Sequence, residues 1–235
     1  MSRPALREFL TGCRDEAPLL LGAVPFGILY GISALAAGVP AWLAQLASAV
    51  VFAGAAQLVI VQMLAAGAGM VPTALTSGLL NLRHLLYSAS MATYLGHLPR
   101  HWRMVLAYLL TDEAYAIAVL RYQARPPAEG PDLRHWYFLG AGFTLWSAWQ
   151  LSTAFGLVFG AAIPPEWELD FAVPLTFIAL LTLLLRERPG QAAALAAGAG
   201  ALLLAGLPFK LGLVFAIVLG LAAGMWTASR LERVR

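Results

Sequence analysis

What most limits the fold of this chain is a recurrence. From Ala17 onward, apolar runs of about 20 residues, the length that crosses the hydrocarbon of a bilayer, alternate with short polar breaks. A water-soluble domain would have to bury every one of these runs in one core. Composition points the same way, with 60% hydrophobic and 11% charged residues against about a quarter charged in soluble domains. The net charge of +3 could suit a polyanion, but the basic residues are scattered between the apolar runs instead of gathered in a patch. Cys13 is the single cysteine, so an intramolecular disulfide is excluded.

Arg3, Arg7 and Arg14 ahead of the first apolar run, with Ala34-Leu35-Ala36 further on, imitate a secretory leader. The run from 17 to 38 is longer than a leader's apolar core of about 7 to 15 residues, and Gly22, Pro25, Gly27 and Gly31 interrupt it. It reads as a retained, broken first span.

The predicted fold class is an all-α, polytopic transmembrane bundle forming one domain over residues 1–235. Its eight spans are 17–38, 42–67, 72–95, 103–121, 136–162, 169–185, 191–206 and 209–229. Seven remain if the short 191–206 segment is a half-span or a tight hairpin with its successor. With the N-terminus inside, the inner segments hold eleven arginines (3, 7, 14, 121, 125, 134, 186, 188, 230, 233, 235) and the outer ones hold Arg100, Arg103 and Lys210. That asymmetry predicts both termini in the cytoplasm, the 121–135 connection inside, and the 96–102 and 163–168 connections outside. Trp42, Trp102, Trp136, Trp167 and Trp226 stand near span ends, where interfacial aromatics belong. A weak internal duplication is suggested by Gly38-Val39-Pro40 with Trp42 against Ala162-Ile163-Pro164 with Trp167. Gly27-x-x-x-Gly31 likewise answers Gly156-x-x-x-Gly160, although such pairs also serve close helix packing.

Charge near a bilayer centre is expensive and marks ion or substrate pathways. Two places carry it: Asn81-Leu82-Arg83-His84 in the third span and Thr111-Asp112-Glu113 in the fourth. Helical spacing groups Thr73, Ser77, Asn81, His84 and Ser88 on one stripe and Arg83, Tyr87, Ser90 and Tyr94 on another, which predicts a third span inside the bundle. Tyr108, Asp112 and Tyr115 share a face, with Glu113 turned about 100 degrees away. Arg83 either meets a substrate carboxylate or neutralises Asp112 or Glu113. Phe52-Ala53-Gly54-Ala55-Ala56-Gln57 and Pro25-Phe26-Gly27 are sites for helix breaks whose freed backbone groups could bind a polar solute; a plain kink is the alternative at Pro25. Trp146, Trp149 and Gln150 fall on one face of the fifth span, where helix packing is the default reading.

At Pro25-Phe26-Gly27 with Gly31, Phe52 to Gln57, Asn81-Leu82-Arg83-His84-Leu85-Leu86-Tyr87 and Thr111-Asp112-Glu113, the chain resembles the AzlC family of branched-chain amino acid exporters. The four motifs keep the family's order over roughly the first 125 residues, with Ala55 where the family has Ser. The resemblance implies export of leucine, isoleucine, valine or close analogues, with a small AzlD-like membrane subunit as partner. The candidate substrate and coupling residues are Pro25, Gly27, Gly54, Gln57, Asn81, Arg83, His84, Asp112 and Glu113.

The chain lacks GxxxxGK[ST], so an ion or substrate gradient would have to drive it, and it lacks HExxH and GxSxG, which disfavours an intramembrane enzyme. No cofactor or metal is expected. The remaining alternatives are an enzyme using the intramembrane acids and His84, or a non-transporting scaffold.

Overall fold

The computed structural model describes residues 2–124, 132–160, 178, 185, 187–206 and 211–232. The predicted span 169–185, nearly all of it, the 163–168 connection and the second copy of the Pro-Trp motif lie outside these residues. Contacts divide the chain into two compact units, Met1–Phe177 and Ile178–Arg235. Every regular element described is helical.

The first unit begins with α1 (Arg3–Glu16), where the Ser2 hydroxyl accepts from the Ala5 amide at 3.4 Å and Pro4 occupies the first turn. A 3₁₀ turn, Ala17–Leu19, leads into α2 (Leu20–Ala36). The 3₁₀ turn around Pro18 is the irregular point of this line. Of the break or kink expected at Pro25 to Gly27, the break is absent, because α2 continues through Pro25 as one helix. Packing on α9 (Arg134–Phe159) explains why the helix holds together there. A Cβ on Gly31 would fall 2.6 Å from the Thr153 carbonyl oxygen, and one on Gly156 would fall 2.3 Å from that of Ile28. The glycine pairs of the two segments thus face each other, so the two backbones touch along much of their length. Gly12 against Tyr137 and Ala141, then Gly31 against Thr153 and Leu157, show that α1 and α2 run parallel to α9.

Between these two lines the predicted second, third and fourth spans are each split. They form α3 (Ala41–Val50) and α4 (Gly54–Ala65), α5 (Met70–Asn81) and α6 (Arg83–Leu95), and α7 (Arg100–Tyr108) and α8 (Asp112–Ala124). Leu82 keeps right-handed helical angles (φ −56, ψ −27), so α6 continues the direction of α5. Its side contacts place α6 parallel to α8: Arg83 meets Asp112, Tyr87 meets Tyr115, and Tyr94 meets Tyr122.

The other two pairs double back. Trp102 in α7 packs on His135 and Trp136 at the start of α9, while Tyr108 receives the Trp146 indole N–H at 2.7 Å, well inside. From the turn at 109–111, α8 returns until the Tyr122 hydroxyl donates to the Arg134 carbonyl at 2.8 Å. Residues 103–121 are therefore a hairpin entered and left at one end of the unit, not the expected crossing. Residues 42–67 are a second hairpin. α3 starts beside the end of α2, and α4 turns through Gly67 (φ 69) to pack antiparallel on α5. α5 and α6 then lead to the end where α9 starts, so α4 ends opposite it. Three through-going lines (α1 with α2, α5 with α6, and α9) and two opposed hairpins replace the five expected spans. By length and apolarity, one described helical line, Arg3–Ala36, suffices to cross a membrane.

This geometry also corrects the sidedness of the connections. His97 Nε2 lies 3.5 Å from Asp132, so the 96–102 and 121–135 connections occupy the same end and cannot be outside and inside respectively. There Arg134 grips Asp132 with contacts of 2.6 to 3.0 Å, which holds that carboxyl below its usual range. The third span is not wholly interior either, since Leu75, Leu79, Leu82, Leu85 and Leu86 are exposed along α5 and α6. Its apolar positions form an outward face beside the polar stripes.

In the second unit, α10 (Arg188–Leu203) and α11 (Leu211–Glu232) lie antiparallel, with Gly200 against Ala216, and Gly220 against Ala193 and Ala197.

Candidate functional site

All three helix breaks of the first unit reach one cavity. It is partly open and is lined by Phe52 to Ala55, by Arg83 and His84, and by Thr111 to Glu113. Ala23 and Phe26 of α2 and Leu145 and Trp149 of α9 complete it. The break at 51–53 arises where Val51 and Ala53 leave helical angles, and Ala53 starts α4 without any side-chain cap. The amides of Gly54, Ala55 and Ala56 therefore begin α4 without helical carbonyl partners, at the positive end of its dipole. Gly54 is required there, because a Cβ would stand 2.6 Å from the Trp149 ring. Gln57 does not line the cavity. Its buried amide nitrogen donates to the carbonyls of Ser48 at 3.2 Å and Val51 at 2.6 Å, closing the free end of α3.

Thr111 caps α8, its hydroxyl accepting from the Ala114 amide at 3.3 Å. Asp112 then receives the Arg83 guanidinium at 2.8 Å and the Tyr87 hydroxyl at 2.7 Å, with the two side chains of the ion pair 25% and 14% exposed. Tyr87 stacks on Tyr115 at 4.4 Å, whose hydroxyl lies 3.1 Å from that of Ser90. Glu113 also lines the cavity, beside Thr111. The break removes Tyr108 from the face expected to join it to Asp112 and Tyr115. It packs on Phe52 and donates to the Ala49 carbonyl instead.

Of the residues singled out in the sequence, Gly54, Arg83, His84, Asp112 and Glu113 come together at the cavity. Asn81 lies one step away, its carbonyl 3.2 Å from His84 Nδ1. Pro25, Gly27 and Gln57 do not line it. Gly27 makes room for Ser152 and Trp149 in the α2–α9 contact. Sequence reasoning missed the apolar wall of Phe26, Phe52, Leu145 and Trp149; Trp149, away from the interfacial belts, was the available signal. It also missed Glu16, which directly precedes the first apolar run. That side chain is fully buried, and neither carboxylate oxygen has a hydrogen-bond partner among the described residues.

Residues 18–163 match the family model described as AzlC protein. The inner membrane protein YgaZ of Escherichia coli (strain K12) is 30% identical over 76% of this chain and 74% of its own length. A protein named "Uncharacterized membrane protein" from Archaeoglobus fulgidus is 28% identical over 84% of each chain. Another of that name from Helicobacter pylori (strain 26695) is 28% identical over 74% of this chain and 76% of its own. No solved structure matches. The relatives are membrane proteins, and the family model covers more than half of the sequence: the chain is a membrane protein of the AzlC family.

Proposed function

We propose that this protein is a multi-pass secondary transporter that exports branched-chain or similar small neutral amino acids. The observation that supports this reading best is the convergence of three helix breaks, opposite charges and an apolar wall on one cavity. Discontinuous helices supply unpaired backbone groups and dipole ends inside a membrane protein, which is where transporters hold the polar ends of a solute. The α4 amino end meets the substrate carboxylate, Glu113 meets its ammonium, and Phe26, Phe52, Leu145 and Trp149 take its side chain. Membership of a transporter family adds weight to this assignment.

Topology belongs to the same proposal. Arg3, Arg7, Arg100, Arg103, Arg121 and Arg134 all stand at or near the end of the first unit where α9 begins, whereas the described turns at the other end, 37–40 and 66–69, have no basic residue. That end faces the cytoplasm by the positive-inside rule. The small AzlD-like subunit is part of the proposal as well, and co-purification from the native membrane tests it.

The deciding measurement is counterflow in proteoliposomes: vesicles loaded with unlabelled leucine should take up labelled leucine transiently. Trp149→Ala should slow this uptake while the protein stays monodisperse. Absence of uptake by the unmodified protein, alone and with its small subunit, would refute the assignment.

A further inference from the structure

The half-helix α3 is held differently from its neighbours. None of its large apolar side chains is buried: Trp42, Leu43, Leu46 and Val50 are all exposed, and the buried positions are Ala44 and Ser48, too small to interlock with another helix. Hydrogen bonds hold it instead. The Gln45 amide nitrogen donates to the side-chain oxygen of Gln150 at 2.8 Å, and the Gln150 amide nitrogen donates back to the Ser48 carbonyl at 3.2 Å. The hydroxyls of Ser48 and Thr153, both fully buried, lie 3.1 Å apart. On the α2 side the Tyr30 hydroxyl donates to the Ala44 carbonyl at 3.1 Å. Bonds of this kind part readily inside a membrane protein, because the separated groups find other partners. The α2–α9 contact, by comparison, sets backbone against backbone along its glycines. The polar clasp is also incomplete. Gln45 Oε1 and Gln57 Oε1 are buried without a hydrogen-bond partner among the described residues, a cost that a shifted α3 could recover.

Both ends of α3 adjoin non-helical backbone. Gly38 takes φ 77 in the turn before it, and Val51 and Ala53 leave helical angles after it. Its inner end runs into Phe52 and Ala53, which line the cavity. Its partners Gln150 and Thr153 follow Trp149 along α9, so α3 lies beside the cavity on the side away from the start of α9. We propose that α3 is the gate of the cavity on that side, and that the Gln45–Gln150 and Ser48–Thr153 contacts are the latch that keeps it shut. This gate rests on the transport reading above, for which it supplies the moving element. With the latch parted, α3 swings about 37–40 and 51–53 and carries Phe52 off the cavity, while α2 and α9 stay together as the frame. The amides and hydroxyls released from the latch then line the path by which a polar solute leaves.

A reversible cross-link tests the gate. In a Cys13→Ser background, Ser48→Cys with Thr153→Cys puts thiols where hydroxyls 3.1 Å apart now stand, within reach of a disulfide. After oxidation with copper phenanthroline the protein should lose leucine counterflow in proteoliposomes, and dithiothreitol should restore it. In a second arm, Ala55→Cys in the same Cys13→Ser background places a thiol in the cavity lining. Gln45→Leu, and separately Gln150→Leu, should speed its reaction with a membrane-impermeant thiol reagent added on the side of the 37–40 turn, and should not speed it from the other side. Counterflow missing from the unmodified protein would refute the transport reading itself. Full counterflow by protein whose disulfide is confirmed by mass would overturn the gate and leave transport standing. If the disulfide does not form, or the reduced double variant is inactive, the labelling decides: a rate changed by neither Gln45→Leu nor Gln150→Leu overturns the gate.

Discussion

Neutralising the Arg83–Asp112 pair separates a binding role from a structural one. The pair is 2.8 Å apart, with side chains 25% and 14% exposed. Stranding one member of a fully buried pair costs about 3 to 5 kcal/mol. Here the cost is smaller, for reasons visible around each charge. With Arg83→Gln, Asp112 keeps the Tyr87 hydroxyl at 2.7 Å and its place in the first turn of α8. A favourable helix end alone contributes about 0.3 to 1 kcal/mol to a carboxylate. With Asp112→Asn, Arg83 keeps partial access to water, its side chain being 25% exposed. Each single variant should therefore lose only about 1 to 2 kcal/mol and remain extractable and monodisperse. Transport should fall by more than about tenfold in each, equivalent to at least about 1.4 kcal/mol in the barrier. The double variant, Arg83→Gln with Asp112→Asn, should fold and stay inactive. Monodisperse yield measured beside leucine counterflow checks this. If both single variants lost yield and the double variant recovered both yield and normal transport, the pair would only hold the helices together, and the assignment of the cavity would fall.

Two further predictions test the architecture. Cysteines placed at His97 and Asp132, in a background where Cys13 is replaced, should react with a membrane-impermeant reagent from the same side, and opposite sidedness would refute the α7–α8 hairpin. Gly12→Val should destabilise the protein by about 1 to 3 kcal/mol, because a Cβ would lie 2.1 Å from the Tyr137 carbonyl oxygen between two closely packed backbones; an unchanged melting temperature in detergent would contradict that packing.

Much of this was legible in the sequence, through physics that acts locally. Long apolar runs dictate helices in a membrane, and an unusual Gly-interrupted or charged stretch within a run marks a place where the helix pays a cost. Phe52 to Gln57, Asn81 to His84 and Thr111 to Glu113 were found that way, and the helix breaks fall at or beside all three. Hydropathy is blind to direction, however. A half-helix that turns back has the same composition as one that continues, so 42–67 and 103–121 read as crossings until His97 met Asp132 and α4 packed on α5. The same blindness misled the count of basic residues, which put Arg100 and Arg103 on the opposite side from Arg121 and Arg134, although both pairs stand at one end.

Of the break or kink read at Pro25, the break failed for the opposite reason. A local weakness was read as a break, but α9 supplies enough close contact to keep α2 helical. Gln57 was read as a candidate ligand because it ends a Gly-interrupted segment where a helix break was expected, and only the fold shows that its amide closes the end of α3. Glu16 is the sharpest case. By sequence it is the last charge before an apolar run, which normally means water; the packing of the first unit buries it completely. The sequence by itself thus determined the helical membrane class and where charge would be costly, since those follow from each residue's own transfer energy. Which helices turn back, which groups share the cavity and which carboxylate loses its water depend on distant segments meeting, and only the tertiary structure decided them.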